Sequence, residues 1–150
     1  MNKINKENKI LIASDHGGFD LKEHLIQYLK TQNYNIVDMG TYNRDSVDYP
    51  DYAEKVAEGI IAEENVKGIL VCGTGIGISI AANKHKGIRA ALVGSVTMAR
   101  LSREHNNANI VCLGGRTTGS MVAEEIVETF LNTEFEGDRH QRRIDMLEKV

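Results

Sequence analysis

The sequence predicts an α/β fold, a three-layer α/β/α sandwich around a five-stranded parallel sheet, and three observations predict it. Five short apolar runs, residues 9–14, 34–39, 68–72, 88–93 and 109–113, alternate with helix-like stretches, which is the rhythm of strand and crossover helix. The first three runs are dense in Ile, Leu and Val instead of alternating with polar residues, as strands covered on both faces must be. The chain has 150 residues, enough for one core and too few for two ordinary domains. A single Rossmann-like domain over residues 1–150 is expected.

The elements follow in order. After the first run comes Asp15-His16-Gly17-Gly18, then a helix over residues 19–31 whose Leu21, Leu25 and Leu29 recur every four positions and form one apolar face. The second run leads into residues 40–51, which hold the one proline, Pro50, among Asn, Asp, Ser and Tyr. This stretch reads as the longest loop, and long loops in compact domains tend to be functional. Residues 52–64 and 121–131 each give a helix with one apolar side. The third run leaves through Cys72-Gly73-Thr74-Gly75-Ile76-Gly77-Ile78-Ser79 into a helix over 77–84, and a further helix spans 96–106. Beyond Phe135 the chain is strongly charged, with Arg139, His140, Arg142 and Arg143, while Ile144 and Leu147 can anchor a terminal helix from about residue 136.

Bulk properties narrow the partners. A formal net charge of -3 gives no general attraction to nucleic acid or an anionic membrane, so an anionic ligand needs locally placed positive charge. Residues 1–9 are polar and lysine-bearing without the apolar run of a signal peptide, and no stretch of about 18 apolar residues occurs; a cytoplasmic protein is expected. Cys72 and Cys112 lie far apart without metal-ligand spacing, which suggests neither a disulfide framework nor a zinc knuckle.

In a parallel sheet, Ser14-Asp15-His16, Cys72-Gly73-Thr74 and Gly114-Gly115-Arg116 reach the same edge, where open α/β sheets bind ligands. The glycine loop after Cys72 exposes main-chain amides that can hold a phosphate or the developing oxygen of an enediolate. It is not a dinucleotide fingerprint, since Ile78 stands where the last glycine belongs, and it has no Gly-Lys-Ser/Thr of a Walker A loop. Cys72 is either an apolar plug or a base, because amides beside a thiol stabilise the thiolate. Cys112, inside Ile110-Val111-Cys112-Leu113, reads as core. Asp15 can cap a helix or act on a substrate, and His105 can complement a helix dipole. His24 and His85 are given no chemistry. Arg139 and Arg143, four apart, can offer two guanidinium groups to one anion or form a solvated tail.

Taken together, these segments resemble the type B ribose-5-phosphate isomerases, in the sugar-phosphate isomerase group that also holds the galactose-6-phosphate isomerase subunits. The resemblance covers nearly the whole chain. It rests on Ser14-Asp15-His16-Gly17-Gly18, Asp48-Tyr49-Pro50, the run from Cys72 through Ala81-Ala82-Asn83-Lys84, Ser102-Arg103-Glu104-His105-Asn106, and Arg139-His140 with Arg143. Cys72 with the complete Gly-Thr-Gly loop favours the pentose-phosphate enzyme over the galactose subunits. Some members use a glutamate base and lack the cysteine; with Ser79 and Cys72 here, the cysteine branch is indicated.

The resemblance implies an aldose-ketose isomerase of the pentose phosphate pathway. Cys72 moves a proton between C2 and C1, Thr74 contacts the cysteine or relays a proton, and His105 with Asp15 opens the furanose ring. Gly73, Gly75, Ile76 and Gly77 hold the enediolate, Tyr49 and Asn106 position hydroxyls, and His16, Arg139, Arg143 and more weakly Arg116 hold the phosphate. No metal or cofactor is needed. The terminal helix completes the site, and the resemblance further implies a homodimer or tetramer with sites at the subunit interface. Three alternatives remain: a six-carbon sugar phosphate such as allose or galactose 6-phosphate as substrate, a non-catalytic phosphate or nucleotide-binding module, and a phosphocysteine enzyme, which the missing Cys-x5-Arg spacing disfavours.

Overall fold

Two residues before Gly68, Val66 is already buried, and the chain then enters the central strand of one parallel sheet. The structure, a computed structural model, describes residues 5–150; residues 1–4 of the polar start lie outside the described residues. The strands are β1 (Lys9–Ser14), β2 (Asn35–Asp38), β3 (Lys67–Cys72), β4 (Ala90–Leu92) and β5 (Ile110–Gly114), in spatial order β2-β1-β3-β5-β4. The helices are α1 (Phe19–Thr31), α2 (Tyr49–Ala62), α3 (Ile76–Ala82), α4 (Val96–Asn106), α5 (Ser120–Asn132) and α6 (Arg139–Leu147), with a short 3-10 turn at His16–Gly18.

Strand alternation builds two cores. Ile10, Ile12, Ile69, Val71, Val111 and Leu113 pack against Leu25 of α1, Ala99 of α4 and Ile126 and Phe130 of α5. Their neighbours Leu11, Ala13, Leu70, Cys72 and Cys112 turn to the other face, against Ala53, Val56 and Ile60 of α2 and Ile78 of α3. Each large side chain so buried contributes about 1.5–3 kcal/mol. Both faces are apolar, which is why the strand runs lack alternation.

Three expected boundaries are corrected. The loop expected through residue 51 ends earlier, since α2 starts at Tyr49 with Pro50 in its first turn. Proline lacks an N–H where the helix has no acceptor for one, and its fixed φ suits a first turn, so Pro50 opens the helix. The helix expected over 77–84 runs from Ile76 to Ala82. It stops because the Asn83 side chain leaves to clamp β4, accepting from Ala90 N–H at 2.8 Å and donating to Ala90 C=O at 2.9 Å. The terminal helix begins at Arg139, after Asp138 at φ 50°, instead of near 136.

From β1 the chain crosses to β2 on one side, and β3 lies on the other. The crossovers diverge between β1 and β3, and the crevice that such a divergence leaves at the carboxyl ends of the strands is flanked by Asp15 and Cys72.

Candidate active site

Cys72 closes β3 and is buried, and the N–H of Gly75 donates to its Sγ at 3.1 Å. That turn requires Gly75 at φ 80°, where a Cβ would also stand 2.8 Å from the Leu113 carbonyl carbon. The Thr74 hydroxyl oxygen accepts from Ile76 N–H at 3.2 Å, which leaves its own proton free to donate outward. Among the described residues, the N–H groups of Thr74 and Gly77 meet no protein acceptor. The loop is tied to β5 by Gly115 N–H donating to Cys72 C=O (2.8 Å) and Arg116 N–H to Gly73 C=O (2.9 Å).

Around this loop the structure gathers one group of the expected residues. A Cβ on Gly17 would stand 3.1 Å from Gly73 N, so the Asp15-His16 turn presses against the Cys72 loop. Asp15 is buried and its Oδ1 accepts from Gly18 N–H at 3.1 Å, so it does cap the 3-10 turn, which fixes its position at the crevice. His16 Nδ1 accepts from Val47 N–H at 3.2 Å, which keeps the ring proton on Nε2 and makes that nitrogen a donor. The Tyr49 ring lies on Gly77, so close that a Cβ there would meet it at 2.6 Å. Arg116 is exposed and lies beside Gly73, its Nη1 3.5 Å from where a Cβ would sit.

His105, Asn106, Arg139 and Arg143 are not in this group. Helix α4 packs on the α1/α5 face, whereas the Cys72 side chain belongs to the α2/α3 face. His105 is near the end of α4, shortly before Ile110, and Ile110 pairs with Gly68 at the start of β3. Within one chain His105 is therefore at the opposite edge and the opposite face of the sheet from Cys72. Helix α6 is with it: Glu136 N–H donates to Glu104 C=O at 3.1 Å, and Arg89 Nη1 donates to Glu148 at 2.6 Å. Arg139 and Arg143 project from α6 into solvent. A cavity of about 920 Å3 also opens on that edge, beside Lys84, Arg89, Asn106 and Leu147, and not at Cys72.

The remaining expectations resolve locally. Cys112 is fully buried; burial pushes its thiol well up, and the nearness of Cys72 adds to this. His24 pairs with Glu124 at 2.9 Å, and the His85 ring is 3.3 Å from Ala82 C=O. No ligand cluster is visible in the sequence, yet His105, Glu136 and His140 bring three ligating atoms within 4.8 Å of one another. Two further polar side chains are buried. Lys22 has no solvent exposure and donates to Asp38 at 2.9 and 3.1 Å and to Glu23 at 2.9 Å. It shares the helical stripe of Ile26 and Leu29, the signal that could have found it. His140, likewise, is four residues before the buried Ile144. Among the described residues, no helix is long and apolar enough to cross a membrane.

A family model described as Ribose/Galactose Isomerase matches residues 10–147. Ribose-5-phosphate isomerase B of Escherichia coli is 42% identical over 142 residues, covering 95% of each chain. The crystal structure of a ribose 5-phosphate isomerase from Thermotoga maritima superposes with a TM-score of 0.93 at 55% identity, covering 95% of this chain and 99% of that one. A ribose-5-phosphate isomerase B from Mycoplasma genitalium, with bound ribulose 5-phosphate, gives a TM-score of 0.89 at 47% identity over 94% of both chains.

Proposed function

Because the chain belongs to the ribose/galactose isomerase family, we infer that it interconverts ribose 5-phosphate and ribulose 5-phosphate by proton transfer through an enediolate. The observation that carries this reading is the buried Cys72 sulfur at the sheet switch point, with a main-chain N–H on it at 3.1 Å and further unpaired amides in the same loop. Proton abstraction beside a carbonyl needs a base on one side and preorganised donors at the oxygen that becomes negative.

Ring opening comes first. His105 gives a proton to the ring oxygen O4 as the C1–O4 bond breaks, and the C1 hydroxyl proton leaves to Asp15, which yields the open aldehyde. Cys72 then takes the C2 proton, the loop amides hold the enediolate, the Thr74 hydroxyl passes a proton between O2 and O1, and Cys72 returns its proton to C1. Tyr49 and Asn106 hold hydroxyls, while His16 Nε2–H, Arg116, Arg139 and Arg143 hold the phosphate. Remote phosphate binding orients the reacting carbons.

This division of labour needs two copies of the chain. We place the site at a two-fold interface where one protomer supplies the Cys72 loop and its partner supplies α4 and α6, so that the terminal helix completes the neighbour's site. The apolar residues left open on α3 and β4 beside the loop support this: Ile76, Ile80 and Leu92 are each more than a third exposed, the composition of a surface that is covered in the assembly. Two free thiols suit the reducing cytoplasm, where the pentose phosphate pathway operates.

The test is an assay of ribose 5-phosphate conversion beside a panel of six-carbon phosphates, with wild type and Cys72→Ala. Substitution should lower kcat by at least about a hundredfold, the scale of a general base, with little change in KM. Normal turnover by the variant removes Cys72 from the mechanism, and a preference for allose or galactose 6-phosphate reassigns the sugar.

A further inference from the structure

We propose that His140 is a positioning residue for ring opening, holding the His105 imidazole by its face in the orientation in which it delivers its proton. This rests on the isomerase reading above and concerns a side chain that the reading leaves without a role.

His140 is 7% exposed, and its ring stacks on that of His105 with centroids 4.4 Å apart and planes 18° from parallel. Its Nε2 is buried and makes no hydrogen bond among the described residues; Glu136 Oε2 stands 3.3 Å away, an ion pair only when the ring is protonated. An unpaired buried polar atom is destabilising, and an apolar side chain would fill the same space without it. The face of the ring is used instead, against His105. The segment before α6 is fastened to the end of α4 through Glu136 N–H and Glu104 C=O, so the two rings cannot slide freely past one another. Among the described residues, the His105 ring itself makes no hydrogen bond, and its plane is set by the stack.

That plane matters chemically. An imidazole N–H lies in the plane of its ring, so fixing the plane fixes the line along which the proton travels to O4. The same three residues do not suit a metal ion. Ring lone pairs lie in plane as well, and two rings 18° from parallel send them side by side, whereas an ion about 2.0–2.1 Å from each nitrogen needs them to converge.

His140→Leu and His140→Phe separate the roles, since both fill the space with apolar atoms and only phenylalanine keeps a flat face. Two readouts are needed: turnover of ribose 5-phosphate, whose ring must open, and affinity for an acyclic phosphorylated hydroxamate, which copies the enediolate and needs no ring opening. His140→Leu should lose about 10- to 100-fold in turnover, the scale of a misplaced reacting group, and keep hydroxamate affinity within about twofold. His140→Phe should recover most of the turnover. Equal turnover in the two variants overturns the proposal, as does hydroxamate affinity that falls in step with turnover. A wild type that binds the hydroxamate but does not convert ribose 5-phosphate overturns the isomerase reading instead.

Discussion

Two inactive variants of this chain should make an active protein when mixed, and the size of the recovery follows from where the sheet puts its residues. Cys72 pairs with Gly114 and Gly68 with Ile110, so the two edges of β3 are four residues apart, about 13 Å at 3.3 Å per residue. His105 belongs to the Ile110 edge and to a helix on the other face of the sheet. No side chain reaches across that, so under the proposed mechanism a working site takes Cys72 from one protomer and His105 from the other. Cys72→Ala and His105→Ala should each lose at least about a hundredfold in turnover alone. In a one-to-one mixture, random pairing in a two-fold dimer makes half of the dimers mixed, and each mixed dimer has one intact site and one doubly damaged site, so the unsorted mixture recovers about one quarter of wild-type activity and the purified mixed dimers about one half. The assay is ribose 5-phosphate turnover after co-expression of the two variants with different tags and purification on both. Doubly tagged dimers with no activity would refute the shared site, and activity in His105→Ala alone would refute the role of the histidine.

Two further predictions concern the fold. Gly18→Ala puts a methyl group 2.4 Å from the Val71 carbonyl oxygen; overpacking of this kind should cost about 1–3 kcal/mol, visible as a lower Tm, and an unchanged Tm would show that the Asp15 turn is not held against β3. Burial, with Arg103 nearby, pushes Lys67 down to about 8, so the unfolded chain binds the extra proton between that pH and the ordinary lysine range. The charged lysine therefore weakens the fold below about pH 8 and the penalty fades as pH rises toward 10.5. Lys67→Met should raise stability to denaturant at pH 7 and raise it less at pH 10, and a gain that does not shrink with pH would count against the burial penalty.

Much of the fold was legible because its signals are local. The Leu21, Leu25 and Leu29 spacing marks α1 within its observed limits, and the Ile and Leu runs locate β1 and β3. Pro50 is ambiguous in the sequence because proline both ends and opens helices; in the structure it lies in the first turn of α2. Lys22 is not legible in the sequence because a lysine in an amphipathic helix is ordinarily solvated; its burial depends on Asp38, which arrives from β2.

The sequence alone determined the parallel sheet, the glycine loop behind Cys72 and the identities of the groups proposed to carry charge and protons, since each is written in spacing or residue type along a few consecutive positions. The tertiary structure decided that these groups fall into two sets at opposite edges of one chain and that His140 lies flat on His105. Edge and face come from strand order and helix direction, which are set by how the layers bury one another and leave no mark on any single segment.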